Sequence, residues 1–130
     1  MIFGIGVDQV DIKRVRSLLE KSGSKFENRC FTVDEILYSK RFSDPAKRLG
    51  ARFAAKEAFV KSLGTGFRYK INFLDIEILN TKKGKPFINL SKKLASFIKK
   101  KFKIKKIKTF LSLSDEKEYS IAYVILYKIK

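Results

Sequence analysis

Residues 45–66 read PAKRLGARFAAKEAFVKSLGTG, and both ends of a helix are written into them. Pro45 suits a first helical turn, where a missing N–H costs nothing. Gly64 and Gly66 suit a helix end, because glycine accepts positive φ. Between them Leu49, Phe53, Val60 and Leu63 recur at helical spacings, which predicts one long helix over 45–63. Past residue 74 the period changes. LDIEILN (74–80) sets Leu74, Ile76 and Ile78 against Asp75, Glu77 and Leu79, the alternation of a strand. TKKGK then supplies a turn at Gly84, and PFINL (86–90) is the return strand. A long helix followed by hairpins constrains the chain to an α+β fold.

The remaining segments fit that class. IFGIGVD (2–8) predicts a short buried strand ending at an acid. Asp11 can cap a helix over 12–21, with Ile12, Val15, Leu18 and Leu19 on one face and Gly23 as its stop. Thr32-x-x-Glu35 has the spacing of a capping box and predicts a helix over 33–42. Ser91 caps a helix over 92–102, with Leu94, Phe97, Ile98 and Phe102 inward. KTFLSLS (108–114) and YSIAYVILY (119–127) form a last hairpin around DEKE. The expected order is β-α-α-α-β-β-α-β-β, with a mostly antiparallel sheet packed against one long and several shorter helices.

The 130 residues predict a single domain, 1–130, and 12 Phe supply material for a packed core. No apolar run approaches the length of a membrane span, and the first residues lack the basic segment of a signal peptide. Cys30 is alone, which fits a cytoplasmic, reducing compartment. There is no His, so the usual zinc ligand sets are excluded. The net charge of +17 attracts polyanions: nucleic acid, anionic membrane, phosphorylated cofactors or an acidic protein. It arises from 23 Lys and 7 Arg, a bias that a lysine-rich genome would also produce.

Two acids stand out against that charge. Asp8 ends an apolar strand, and Glu57 sits inside the long helix with Lys61 four residues on. Separately, a strand-end Asp reads as a turn former and Glu57–Lys61 as a surface pair. Brought together by the fold, two carboxylates make an ordinary Mg²⁺ site, completed by water and phosphate oxygens. Arg48, Arg52 and Lys56 recur every four residues and read either as a solvated stripe or as a polyphosphate groove. Gly64-Thr65-Gly66 and Gly84-Lys85-Pro86 permit close backbone approach to a ligand, and neither is a Walker A loop or a dinucleotide fingerprint.

GIGVDQVDIKR (4–14), RFAAKEAFVKSLGTG (52–66), GKP (84–86) and SLSDE (112–116) occur in the order found in holo-(acyl-carrier-protein) synthases, the small bacterial members of the 4′-phosphopantetheinyl transferase superfamily. The resemblance runs from residue 2 to about 127. It implies transfer of the 4′-phosphopantetheine arm of coenzyme A to a serine of apo acyl carrier protein, with release of adenosine 3′,5′-bisphosphate, in support of fatty acid biosynthesis. It implies Mg²⁺ as cofactor, held by Asp8 and Glu57, and Lys61 at the phosphates and leaving group. Glu57, directly or through a metal-bound water, is the candidate acceptor of the serine proton. Phosphate contacts are expected from Arg48, Arg52 and Lys56, with Gly64, Gly84 and Pro86 shaping the walls. Lys13, Arg14 and Arg16 are expected to meet the acidic carrier, the family's carrier-contacting arginine matching Arg14. The family's small members are typically homotrimers with the coenzyme between subunits. Where that family usually has His, this chain has Asp115, which cannot donate a hydrogen bond when ionised, so no role is carried over to it. The run KKKFKIKKIK (99–108) reads as a solvated helix end and linker, or as a nucleic-acid contact. Two readings stand beside the transferase: a basic nucleic-acid-binding domain, and a relative that binds coenzyme or carrier without turnover.

Overall fold

The computed structural model describes residues 1–129, so the last residue of the expected domain lies outside them. Strand β1 (Ile2–Asp11) leads into helix α1 (Ile12–Ser22), followed by α2 (Ser24–Cys30), α3 (Val33–Ser39) and α4 (Pro45–Leu63). A short 3-10 turn at Phe73–Asp75 precedes β2 (Ile76–Asn80) and β3 (Pro86–Leu90); α5 (Lys92–Phe102), β4 (Lys106–Asp115) and β5 (Tyr119–Ile129) complete the chain. Two antiparallel sheets result, β1-β5-β4 and β2-β3. The α+β class, the antiparallel pairing and the bounds of α4 and β3 are those expected from the sequence. The structure adds α2, and it shortens the helix expected over 33–42 to Val33–Ser39.

The punctuation acts locally as its chemistry requires. The Asp11 carboxylate accepts from Lys13 N–H at 2.9 Å, capping α1. Thr32 and Glu35 form a reciprocal capping box, and Ser91 Oγ accepts from Leu94 N–H at 3.1 Å. Gly64 closes α4 at φ 78. Tyr69 and Lys70, in the loop that follows, also have positive φ.

Helix α4 is buried on most of its surface and lies across β1 and β5. Leu49, Ala54, Ala55, Ala58 and Phe59 are fully buried there, together with Ala122, Val124 and Leu126 of β5. The contact with β1 is backbone on backbone. A Cβ built on Gly4 would stand 1.9 Å from the Ser62 carbonyl oxygen, and one on Gly6 would stand 1.9 Å from that of Ala58. These two glycines let strand and helix approach more closely than any side chain would allow. Asp8 lies two residues beyond Gly6, on the same side of the strand, and so faces the second half of α4.

The other face of the three-stranded sheet is uncovered in the single chain. Ile5, Val7, Phe110, Ile121 and Tyr123 are all 40% exposed or more, and the register places them side by side.

Candidate active site

Close approach of β1 to α4 brings the two acids of the sequence into one cavity of about 580 Å³. Asp8, Glu57 and Lys61 line it together with Arg14, and Val15, Leu18, Phe26 and Phe53 give it an apolar floor. Lys61 Nζ donates to Asp8 Oδ1 at 2.8 Å and to the Val7 carbonyl oxygen at 3.2 Å, which draws α4 and β1 together. Its side chain remains half exposed. Burial raises the Glu57 carboxyl above its ordinary value; the neighbouring Asp8 charge raises it further, and Lys61 works against both. Two carboxylates in one cavity, with Lys61 hydrogen-bonded to only one of them, leave room for a further cation. Among the described residues no third His, Cys, Asp or Glu joins them. A two-carboxylate donor set suits Mg²⁺, which takes its remaining ligands from water and phosphate.

Arg48 and Arg52 open on a different cavity, of about 330 Å³. Arg48 and Glu57 are nine residues apart, which at roughly 100° per residue places them on opposite sides of α4. The stripes that look adjacent along the sequence therefore face two separate cavities. Tyr38, Asn80, Gly84, Pro86, Ser112 and Asp115 complete the second one. Arg52 is 3% exposed; its Nη2 donates to Asn80 Oδ1 at 2.6 Å and its guanidinium lies 4.4 Å from the Tyr38 ring centroid. Its Nε is buried with no hydrogen-bond partner among the described residues. A guanidinium that lines a cavity while short of hydrogen-bond partners favours an anion there. Tyr38 and Asn80 escaped the sequence reading: nothing near them in the chain signals a ligand, and only the fold brings them to the arginines.

Lys56 does not belong with these arginines. It is fully buried, and its ammonium is taken by Glu35 Oε1 at 2.7 Å and the carbonyl oxygens of Cys30 and Phe73 at 2.6 and 3.1 Å. With its donors spent and no exposed surface, it cannot meet a phosphate; a four-residue spacing on α4 cannot reveal a partner 21 residues away. Gly64 caps the helix and lines neither cavity. Of the three basic residues of α1, Arg14 lines the carboxylate cavity, whereas Arg16 pairs with Asp44 at 2.7 Å and Lys13 lies outside the lining. Asp115 brings a negative charge to the arginine cavity, 3.8 Å from Lys47. The basic run at 99–108 occupies the end of α5 and the start of β4, away from both cavities.

The longest helix thus carries a carboxylate pair on one side and two arginines on the other. Family comparison makes the class specific: the profile of the 4′-phosphopantetheinyl transferase superfamily matches residues 4–124. The chain belongs to that superfamily. It is 47% identical over 127 residues to the holo-(acyl-carrier-protein) synthase of Pelagibacter ubique, covering 98% of each chain. Among solved structures it is similar to the holo-(acyl-carrier-protein) synthase of Neisseria meningitidis, with a TM-score of 0.85 and 37% identity, covering 98% of this chain and 100% of that one. A second is the Bacillus anthracis enzyme in complex with coenzyme A (3′,5′-ADP), with a TM-score of 0.80 and 32% identity over 100% and 99% of the two chains.

Proposed function

We propose that this chain transfers the 4′-phosphopantetheine group of coenzyme A to a serine of apo acyl carrier protein and releases adenosine 3′,5′-bisphosphate. The observation that carries this reading is the gathering of Asp8, Glu57 and Lys61 in one cavity, with a buried, unpartnered arginine donor in the next. The coenzyme offers a pyrophosphate to the first set and a 3′-phosphate to the second. Its location would be the cytoplasm, with fatty acid synthesis as its context.

Asp8 and Glu57 are the residues that would hold Mg²⁺, the cofactor of this reading. Bound there, the ion would neutralise charge on the pyrophosphate. Lys61 stands beside Asp8 with its side chain half exposed, placed to offset negative charge on the departing phosphate. The serine oxygen bonds to the β-phosphorus, and the bond from that phosphorus to the bridging oxygen breaks. Adenosine 3′,5′-bisphosphate leaves with the bridging oxygen. The serine proton passes to Glu57, directly or through a water, as the acceptor in this reading. Arg14, at the rim above the apolar floor of Leu18, Phe26 and Phe53, is the contact for an acidic carrier helix, with Lys13 and Arg16 adding long-range attraction. Incubation with coenzyme A, Mg²⁺ and apo acyl carrier protein should add one phosphopantetheine to the carrier's mass; an unchanged mass across a range of carriers would overturn the reading. Retention of Asp8, Glu57 and Lys61 in one cavity favours turnover over binding alone.

The two cavities lie on opposite sides of α4, so one coenzyme is best served by the carboxylates of one copy and the arginines of its neighbour. The uncovered apolar face of the β1-β5-β4 sheet supports such an assembly, a homotrimer in this reading. A shared site has a specific consequence. Glu57→Gln and Arg52→Gln proteins, each deficient alone, should regain activity when unfolded together and refolded as a mixture, because some sites then combine two intact halves. No recovery in hetero-oligomers that demonstrably form would mean that each chain is self-sufficient.

Asp115 opposes the anion that its cavity would receive. Asp115→Asn should tighten coenzyme binding up to about fivefold, since partly exposed charges are worth under about 1 kcal/mol. The gain should shrink with added salt. Titration of the two proteins at low and high ionic strength checks this; unchanged affinity at low salt would show that Lys47 already cancels the acid.

A further inference from the structure

The Lys56–Glu35 pair has no surface in either cavity, yet it touches the supports of both. Its two side chains are fully buried. The acceptors of Lys56 belong to three separate segments: Cys30 at the end of α2, Glu35 in α3, and Phe73 in the turn before β2. Glu35 extends the set. It also accepts from Thr32 N–H at 2.9 Å, and its other oxygen accepts from Ile78 N–H of β2 at 3.0 Å. Next in the chain, Glu77 accepts from Thr32 Oγ1 at 2.6 Å and from Asn89 Nδ2 of β3 at 3.1 Å.

The segments gathered in this way carry the cavity walls. Helix α3 carries Tyr38, and the β2–β3 hairpin carries Asn80, Gly84 and Pro86; all four line the arginine cavity. Helix α2 carries Phe26 of the carboxylate cavity. Asn80 is the residue that holds the Arg52 guanidinium, and it is anchored in turn by donation to the Gly84 carbonyl oxygen at 3.1 Å.

Burying two charges is costly, and an apolar pair of similar volume often supports a fold equally well. What an apolar pair lacks is direction. An ammonium with fixed acceptors and a carboxylate with fixed donors determine where each attached segment stands. We propose that Lys56 and Glu35 are positioning residues for the arginine cavity: they hold α3 and the β2–β3 hairpin at a set distance from α4 and thereby determine the cavity's affinity for the bisphosphate end of the coenzyme. This rests on the reading of that cavity given above.

The test compares wild type with the double variant Lys56→Met/Glu35→Gln, which removes both charges and keeps an oxygen for Ile78 N–H. Adenosine 3′,5′-bisphosphate binding is titrated calorimetrically at a temperature where melting curves show both proteins folded. Binding should weaken at least about tenfold, as small misplacements of a binding group do, and KM for coenzyme A should rise in parallel while kcat at saturation changes less. A purely structural role would lower the melting temperature and leave the affinity of the folded protein at the wild-type value; that result overturns the proposal. If the double variant does not fold, Glu35→Gln alone carries the same comparison, with a smaller weakening expected and wild-type affinity again decisive against. Failure of the wild-type protein itself to bind adenosine 3′,5′-bisphosphate is a distinct outcome, and removes the reading of the cavity instead.

Discussion

Glu57→Gln protein will transfer phosphopantetheine roughly a hundred- to a thousandfold more slowly than wild type, and it will be the more heat-stable of the two at neutral pH. The first half follows from its place: Glu57 shares the carboxylate cavity with Asp8 and Lys61, and Gln can neither hold a divalent cation as a carboxylate does nor accept the serine proton. The second half follows from linkage. The folded protein holds the Glu57 proton more tightly than the unfolded chain, first through burial and then through the Asp8 charge. A carboxyl whose folded pKa is raised favours folding while protonated. That contribution is lost as pH rises from the ordinary carboxylate value through the raised folded value. Above the window the ionised Glu57 is a standing cost that Gln removes. The melting temperatures of the two proteins should therefore differ at neutral pH and converge below the ordinary carboxylate value. An active Glu57→Gln protein would remove the residue from the chemistry; one less stable at every pH would show that Glu57 is held by favourable contacts.

Gly6→Ala should lose a large part of the protein's folding stability. Overpacked cores cost about 1–3 kcal/mol when side chains can move aside. Here the new methyl would meet main-chain oxygen and nitrogen, 1.9 Å from Ala58 O and 2.8 Å from Ser62 N. Neither can rotate away, so helix and strand must separate along their length. The cost should exceed about 3 kcal/mol, a large part of the roughly 5–15 kcal/mol that holds a domain. Gly50→Ala makes the control: its added Cβ meets nothing nearer than 3.6 Å, at Val10 and Val15 side chains, and the protein should remain folded. Urea titration of the three proteins decides it, and near-wild-type stability of Gly6→Ala would mean that the contact is looser than described.

What was legible in the sequence is what depends on neighbours in the chain. Pro45 and Gly64 bound α4, Thr32 and Glu35 form the capping box, and Gly84 turns the β2–β3 hairpin, each through contacts a few residues long. Helix α2 was not legible, because its seven residues carry one buried side chain and its start has no side-chain cap. Asp8 and Glu57 were identified as a pair through the family resemblance; spacing alone left them unrelated. The burial of Lys56 was hidden for a different reason. A lysine in a lysine-rich chain reads as solvated, and its carboxylate partner lies in another helix. The division of α4 into two sides follows from helical geometry, although the four-residue repeat of Arg48, Arg52 and Lys56 reads as one stripe.

The meeting of β1 and α4 at Gly4 and Gly6 bears on how this protein can change over time. The separation of Asp8 from Glu57 and Lys61 is set where main chain rests on main chain, so it does not depend on interlocking side chains. Phe59, Val60 and Leu126 fill space around that contact without defining it. Their volumes can drift, in compensating steps, and the three cavity side chains keep their places. Two residues with no side chain are the ones that cannot drift, and through them the chemistry is insulated from the turnover of its own core.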